Sequence, residues 1–273
     1  MIELTCNHPQ SLKNFTDTTC PQASFYFARL LKDKEIKVNG KKVNADVPLQ
    51  AGDIVRYYLT PKQEAKAAYY TVYEDENVLV IDKENGVNSE AVFAQLNRKS
   101  GGRYAFIHRL DRNTCGLMAF AKNAQAEQAL LDAFKQRQVE KVYHARCFGE
   151  FEKPNEVLTG YLVKDDKTAL VKIYDSPVKG SEQIVTEYKN AARQADNTWL
   201  VEVILHTGKT HQIRAHLAHI GCPIVGDMKY GDTDKNRQIN ATRQCLVAKR
   251  LTLRLDGTLS YLRDKTFISK FEV

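Results

Sequence analysis

The sequence predicts an α+β chain, and three observations carry that prediction. Asn39-Gly40 sits between Glu35-Ile-Lys-Val38 and Lys41-Lys-Val43, a two-residue hairpin signature, because both turn positions need positive φ. Ala126, Ala129, Leu130, Ala133 and Phe134 form one apolar stripe at helical spacing after Asn123, a good N-cap. Trp199-Leu-Val-Glu-Val-Ile-Leu205 alternates and then becomes continuously apolar, as a strand buried mostly on both faces would.

Composition narrows the class. The chain has 273 residues, enough for one large domain or a large one with a small companion, and 43% apolar content supports a substantial core. The formal charge of +7 points to a polyanionic partner, with nucleic acid the leading candidate. Cysteines at 6, 20, 115, 147, 222 and 245 form no Cys-x-x-Cys pair, so they read as reduced thiols and not as a disulfide framework or zinc site. The start, Met1-Ile-Glu-Leu-Thr5, lacks a basic head followed by an apolar stretch, and no run reaches membrane-spanning length. A soluble, cytoplasmic protein without a membrane partner is the expectation.

The elements follow in order. Residues 1–60 read as a small αβ unit: a short helix near Ser11–Phe15, a helix over Ala23–Leu31, the hairpin, a turn at Pro48–Gly52 and a strand from Ile54 to Leu59. Arg29, Lys32, Lys34, Lys37, Lys41 and Lys42 cluster there against Asp33 and Glu35. Residues 61–68 are polar, lack an apolar face and read as a linker. From 69 to 273 the chain reads as one larger domain. Thr71 to Gly86 gives two strands around an acidic turn, Leu117–Ala121 a buried strand, Asn123–Arg137 a helix, Val139–Phe148 a strand, and the segments at 251–255 and 270–273 closing strands.

Two constellations carry chemistry. Phe106-Ile-His-Arg-Leu-Asp-Arg-Asn-Thr-Cys-Gly-Leu117 places Asp111 between Arg109 and Arg112, on an irregular segment entering a buried strand. Neighbouring positive charge favours a carboxylate's ionised form, and loops held by rigid elements often carry function. Taken alone, an Asp beside an Arg is commonly a solvated pair of little consequence. The second constellation is His206-Thr-Gly-Lys-Thr-His-Gln-Ile-Arg-Ala-His-Leu-Ala-His-Ile-Gly221. Thr207-Gly208 makes a turn, Thr210 is the expected helix cap, Ile213, Leu217 and Ile220 share a helical face, and Gly221 ends the helix. A metal reading fails: His211 and His216 are misaligned on a helix, and no acid lies between 203 and 226. An anion-binding helix start with Lys209 and Arg214 fits better. Residues 205–250 hold eight Lys or Arg against three Asp, consistent with an RNA-facing groove, though taken alone a basic helix face in water is the favoured reading.

His108-Arg-Leu-Asp111 followed by Thr114-Cys-Gly-Leu117 resembles the catalytic signature of the RluA-type RNA pseudouridine synthases, with Cys115 where that signature usually has serine. Glu140-Lys-Val-Tyr-His-Ala145 resembles the block with the active-site tyrosine. Gly208-Lys-Thr-His-Gln-Ile-Arg214 resembles a third, with Lys209 in place of an arginine, which is not an equivalent phosphate ligand. Thr71–Gly86 resembles the opening block, with Glu84 where proline is common. Leu30–Val55 resembles an S4 RNA-binding domain, although Pro21-Gln-Ala23 lacks the usual Ser-Arg pair.

The resemblance implies a mixed, largely antiparallel central sheet with flanking helices, preceded by the S4-like module. It implies isomerisation of uridine to pseudouridine in ribosomal or transfer RNA, by a monomer with no cofactor and no metal. Asp111 is then the catalytic aspartate, acting as nucleophile on the sugar or removing a sugar proton. Arg214 pairs with it, and Tyr143 stacks on the uracil. Arg109 contacts phosphate and fills the gap left by the target base; Lys209, His211, Arg29, Lys32, Lys37, Lys41 and Lys42 are further RNA-binding candidates. A single acid among arginines also fits uracil departure better than sugar hydrolysis, which ordinarily uses two carboxyl groups. Two other classes compete: an RNA chaperone or ribosome-assembly factor on the same scaffold, and a hydrolase releasing free uracil.

Overall fold

The computed structural model describes residues 1–165 and 170–273. Contacts divide the chain into two compact units, Met1–Arg112 with Met118–Asn123, and Asn113–Leu117 with Ala124–Val273.

In the first unit, β1 (Ile2–Thr5), β2 (Gln10–Ser11), α1 (Leu12–Thr19), α2 (Pro21–Phe25), α3 (Phe27–Lys32), β3 (Ile36–Val38), β4 (Lys41–Val43), β5 (Pro48–Leu49) and β6 (Ile54–Tyr57) come first. The sheet order β1-β6-β3-β4 is antiparallel throughout. The hairpin turn falls at Asn39 and Gly40, with φ of 50° and 81°. Ser11 caps α1, accepting from Asn14 N at 3.2 Å. The single helix expected over 23–31 is two: Tyr26, at φ −117°, closes α2 by donating its N–H to Ala23 O, while Leu30 N–H starts the next turn on Tyr26 O. Cys6, Leu12, Phe15, Leu30, Ile36, Val55 and Tyr57 form this region's core.

Residues 61–68 hold one turn, α4 (Pro61–Glu64), fixed by a Thr60/Gln63 capping box. Then come β7 (Tyr69–Glu74) and β8 (Val78–Lys83), whose acidic turn is held by Asp75, accepting from Asn77 N and Val78 N at 2.7 Å each. The helix α5 (Ser89–Ser100) ends on Gly101 at φ 72°, and β9 (Ala105–Phe106) pairs antiparallel with the end of β10 (Cys115–Ala121). Phe93, Phe106 and Phe120 pack with ring centroids 5.2–6.2 Å apart.

The second unit comprises α6 (Ala124–Lys135), β11 (Val139–Cys147), β12 (Glu156–Asp165), β13 (Leu170–Tyr174), β14 (Glu182–Arg193), β15 (Trp199–Leu205), α7 (Gln212–His219), α8 (Thr233–Gln238), β16 (Leu246–Leu253), a 3₁₀ turn (Gly257–Leu262) and β17 (Lys265–Ile268). The strands run in the order β13-β12-β14-β15-β11-β16, with β17 also on β16. Every pair is antiparallel except one: Cys115 and Gly116 of β10 lie parallel to Val247 and Ala248 of β16. The fold is thus α+β, with a mixed, largely antiparallel sheet flanked by helices.

Two more expectations are corrected. The last strand lies at Lys265–Ile268, and 270–273 form none. β15 is not buried on both faces: Leu200 is 36% exposed. Leu200 stands opposite Arg146 and Ala192, and Glu202 opposite His144 and Lys189, so that face is polar. Val201 and Val203, on the other face, are buried.

Candidate active site

In the first unit the Asp111 segment is irregular yet tightly held. Leu110 N–H donates to Ser89 Oγ at 3.0 Å, and the same hydroxyl donates to Leu110 O at 2.8 Å. On the other side of Asp111, Arg112 O accepts from Lys83 Nζ at 3.2 Å and from Gly86 N at 2.9 Å. Lys83 is fully buried and also donates to Glu84 O and Val87 O. The peptides either side of Asp111 are therefore fixed through the main chain by two buried polar side chains, Ser89 and Lys83, that sequence reasoning missed. Upstream, Ala119 N–H donates to His108 Nε2 at 3.0 Å, which sets the imidazole's tautomer. Asp111 itself is half-buried.

The flanking guanidiniums each meet a carboxylate within this unit. Arg109 Nη1 lies 2.9 Å from Glu90 and is largely exposed; Arg112 Nη1 lies 2.6 Å from Asp17. Burial tends to raise Asp17, but Arg112, Lys13 and Ser24 outweigh it and hold the carboxyl below its usual range.

The remainder of the signature belongs to the second unit. Gly116 has φ +114°, and a Cβ there would stand 2.4 Å from Ala248 O, so only glycine permits β10 to approach β16 this closely. Thr114 Oγ1 accepts from Gln244 Nε2 at 3.0 Å, while Gln244 Oε1 is buried with no partner among the described residues. Tyr143, 7% exposed, stands between Val203 of β15 and Ala248 of β16, beside a register shift at Val142/Tyr143. Ala248 therefore joins Tyr143 on one side to Gly116 on the other.

Arg214, on α7, is buried and forked onto Asp227: Nε to Oδ2 at 2.7 Å and Nη2 to Oδ1 at 2.9 Å. Asp227 also accepts from Lys229 N and Tyr230 N. Burial acts to raise Asp227, but Arg214 and these amides prevail, so its carboxyl lies below the ordinary range. The Tyr230 ring covers the guanidinium at 5.2 Å. Its hydroxyl accepts from Val171 N and meets His211 Nδ1 at 2.8 Å. Asp227 and Tyr230 were also missed: Asp227 was counted only as one of three acids in a basic stretch.

Thr210 does not cap α7. His211 occupies the cap position in the left-handed region, φ 54°, with no side-chain cap bond. The turn closes on Gln212 instead, whose Oε1 accepts from Lys209 N and Thr207 Oγ1, and whose Nε2 donates to Val185 O and Thr186 Oγ1. Lys209 pairs with Glu182. The four histidines go to four different partners: His206 to Glu187, His211 to Tyr230, His216 to Thr186 and His219 to Asp175. Gly221, at φ 77°, ends the helix as expected.

In the N-terminal sheet, Lys42, Lys37 and Arg56 stand in register across β4, β3 and β6, followed by Glu3 on β1. Like charges placed directly opposite repel, so this row favours an anionic visitor. Lys41 is exposed on the same hairpin, Lys32 is exposed at the end of α3, and Arg29 pairs with Asp33 at 3.3 Å.

The family model for RNA pseudouridylate synthase matches residues 45–219. The chain belongs to the RNA pseudouridylate synthase family. Ribosomal large subunit pseudouridine synthase C of Rickettsia bellii is 32% identical to this synthase over 233 residues, covering 75% of this chain and 76% of the relative. The protein of the same name from Vibrio cholerae is 30% identical over 228 residues, covering 75% and 71%. Among solved structures, human RNA pseudouridylate synthase domain containing 1 superposes with a TM-score of 0.60 at 26% identity, covering 69% of this chain and 79% of that one. The protein is thus an RNA-modifying isomerase, and RNA is its partner. No helix among the described residues is long and apolar enough to cross a membrane.

Proposed function

We propose that this synthase isomerises uridines of large-subunit ribosomal RNA, in the cytoplasm, as a monomer, with Asp111, Tyr143 and Arg214 as its catalytic residues. The observation that carries the RNA assignment is the likeness, over three quarters of the chain, to ribosomal large subunit pseudouridine synthases. The reaction breaks C1′–N1, turns the uracil, joins C1′ to C5, moves the C5 proton to a base and leaves a proton on N1. Asp111 acts on the sugar to assist departure of the uracil. Its support is the loop geometry: fixed peptides on both sides deliver the carboxylate to one place without reorganisation. Tyr143 stacks on the base and assists loss of the C5 proton. Arg214, preset by Asp227 and Tyr230, holds the Asp111 carboxylate charged and oriented.

Extracting the target base from its stack costs a few kcal/mol. Backbone contacts offset that cost and make binding sensitive to salt. Arg109, Lys209 and His211 serve such contacts, and residues 1–60 act as an S4-like RNA-binding module through Arg29, Lys32, Lys37, Lys41 and Lys42. The reading needs no cofactor and no metal.

The test is a comparison of pseudouridine maps of total RNA from cells with and without the gene, joined to an in-vitro assay for pseudouridine and free uracil. Loss of one ribosomal site supports the reading. Free uracil would make the protein a hydrolase, and tight binding with no pseudouridine in any RNA would make it a chaperone.

A further inference from the structure

The second unit holds a cleft of ≈ 280 Å³ whose lining includes Phe134, Lys135, Arg137, Lys141, His206 and Lys209, and no acidic residue. Two of its bases are already matched, His206 by Glu187 and Lys209 by Glu182. Among the described residues no carboxylate pairs with Lys135, Arg137 or Lys141.

Lys141 is the informative one. It lies on β11 two positions before Tyr143, and alternate residues of a strand share a face. The register shift beside Tyr143 adds its extra residue to β16, and β11 itself runs unbroken from Val139 to Cys147. The ammonium sits 5.5 Å from the Phe134 ring centroid, and a Cβ built on Gly208 would come within 3.7 Å of it. Burial pulls Lys141 below the usual lysine range, and among the described residues no carboxylate offsets it. A charge withdrawn from water without a partner is costly, and an arriving anion removes that cost.

We propose that this cleft takes a phosphodiester group of the RNA backbone next to the isomerised uridine, held by Lys141 at its base and by Lys135 and Arg137 at its rim. Two residues of strand separate Lys141 from Tyr143, about 7 Å. A nucleotide stacked on Tyr143 thus has its neighbouring phosphate within reach of the ammonium. The lining, with four lysine or arginine side chains and no acid, suits a phosphate, which can meet several cations at once, more than a single peptide carboxylate. The inference rests on the synthase reading above.

The experiment uses the full chain, a fluorescent uridine-containing oligoribonucleotide and a series of KCl concentrations. Lys141→Met should weaken binding roughly tenfold and make the dependence of log Kd on log salt shallower by about 0.7, the value for one single-strand phosphate contact. KM should rise while kcat changes little. Because Met removes an unmatched buried charge, the melting temperature should stay level or rise. Unchanged affinity and slope would overturn the proposal. Should Lys141→Met lower both melting temperature and affinity, Lys141→Arg decides: recovered affinity supports a phosphate contact, and unrecovered affinity refutes it. The activity of the wild type separates the two readings. If the wild type makes no pseudouridine the synthase reading fails, whereas the salt slope of Lys141→Met still reports on the cleft.

Discussion

The two halves of this enzyme immobilise their charged groups in different ways. Around Asp111, the hydrogen bonds grip main-chain atoms: Ser89 holds both polar atoms of Leu110, and Lys83 holds the carbonyl of Arg112. Around Arg214, side chain grips side chain: a buried carboxylate takes both arms of the guanidinium and an aromatic ring covers it. The first device fixes a frame and leaves the carboxylate's own chemistry outside it. The second sets two buried charges against each other, so removing either takes a matched charge from its partner.

Five variants, one of them read through a pH series, test that contrast, in descending order of effect. Asp111→Ala should lower the rate of isomerisation by roughly a thousandfold, with RNA affinity and melting temperature nearly unchanged. A residual rate above a few per cent, measured as pseudouridine per enzyme, would refute its role. Asp227→Asn should destabilise the fold by about 3–5 kcal/mol, because it removes the buried charge that accepts both arms of the Arg214 guanidinium. Denaturant titration reads this, and a shift under 1 kcal/mol would show that the fork is not what holds Arg214.

The pH series concerns His216, which donates to or accepts from Thr186 at 3.0 Å and is held neutral, its pKa lowered to about 4, first by burial and then by nearby His219, against Asp175. The unfolded value is 6.5. The unfolded chain therefore binds the proton first, and stability is lost as pH falls from about 6.5 towards 4, by roughly 3 kcal/mol in all. Asp227 loses its contribution only below the ordinary carboxylate value, so the two effects separate along the axis. His216→Gln should flatten the upper window alone.

Ser89→Ala should cost about 1–3 kcal/mol by leaving the Leu110 peptide short of partners. It should depress kcat more than it changes KM; the reverse split would mean the frame serves binding, not chemistry. Smallest is the effect of Lys37→Gln with Lys42→Gln. Relief of opposed charges should raise stability by a few tenths of a kcal/mol, while the salt dependence of RNA binding becomes shallower. Point changes are preferable to deleting residues 1–60, because Asp17, Thr19 and Gln22 of that segment bond Arg112, Arg98 and Gln95.

The contrast also explains what the sequence disclosed. The Asn39-Gly40 turn, the stripe that became α6 and the Gly221 stop were legible because each is a local rule: positive φ, a 3.6-residue period, a left-handed cap. Asp111, Tyr143 and Arg214 were legible as signature positions. Ser89 and Lys83 were not, since a serine and a lysine that bind backbone carry no side-chain pattern. Asp227 escaped because its pairing with Arg214 joins a helix to a loop, with no period linking them. The false expectation at Thr210 came from a good capping residue outcompeted by a buried glutamine. β15 misled because an apolar run does not reveal that its outer neighbours are Arg146, His144 and Lys189.

A serine hydroxyl that grips Leu110 through its main chain is indifferent to the identity of the side chain that follows. The scaffold therefore tolerates a chemically silent residue at 111 while still presenting the rest of its surface to the transcript. Such an inert version, immobilised on a resin, becomes bait: it should hold its natural RNA without turning it over, and sequencing what it retains would name the transcript directly.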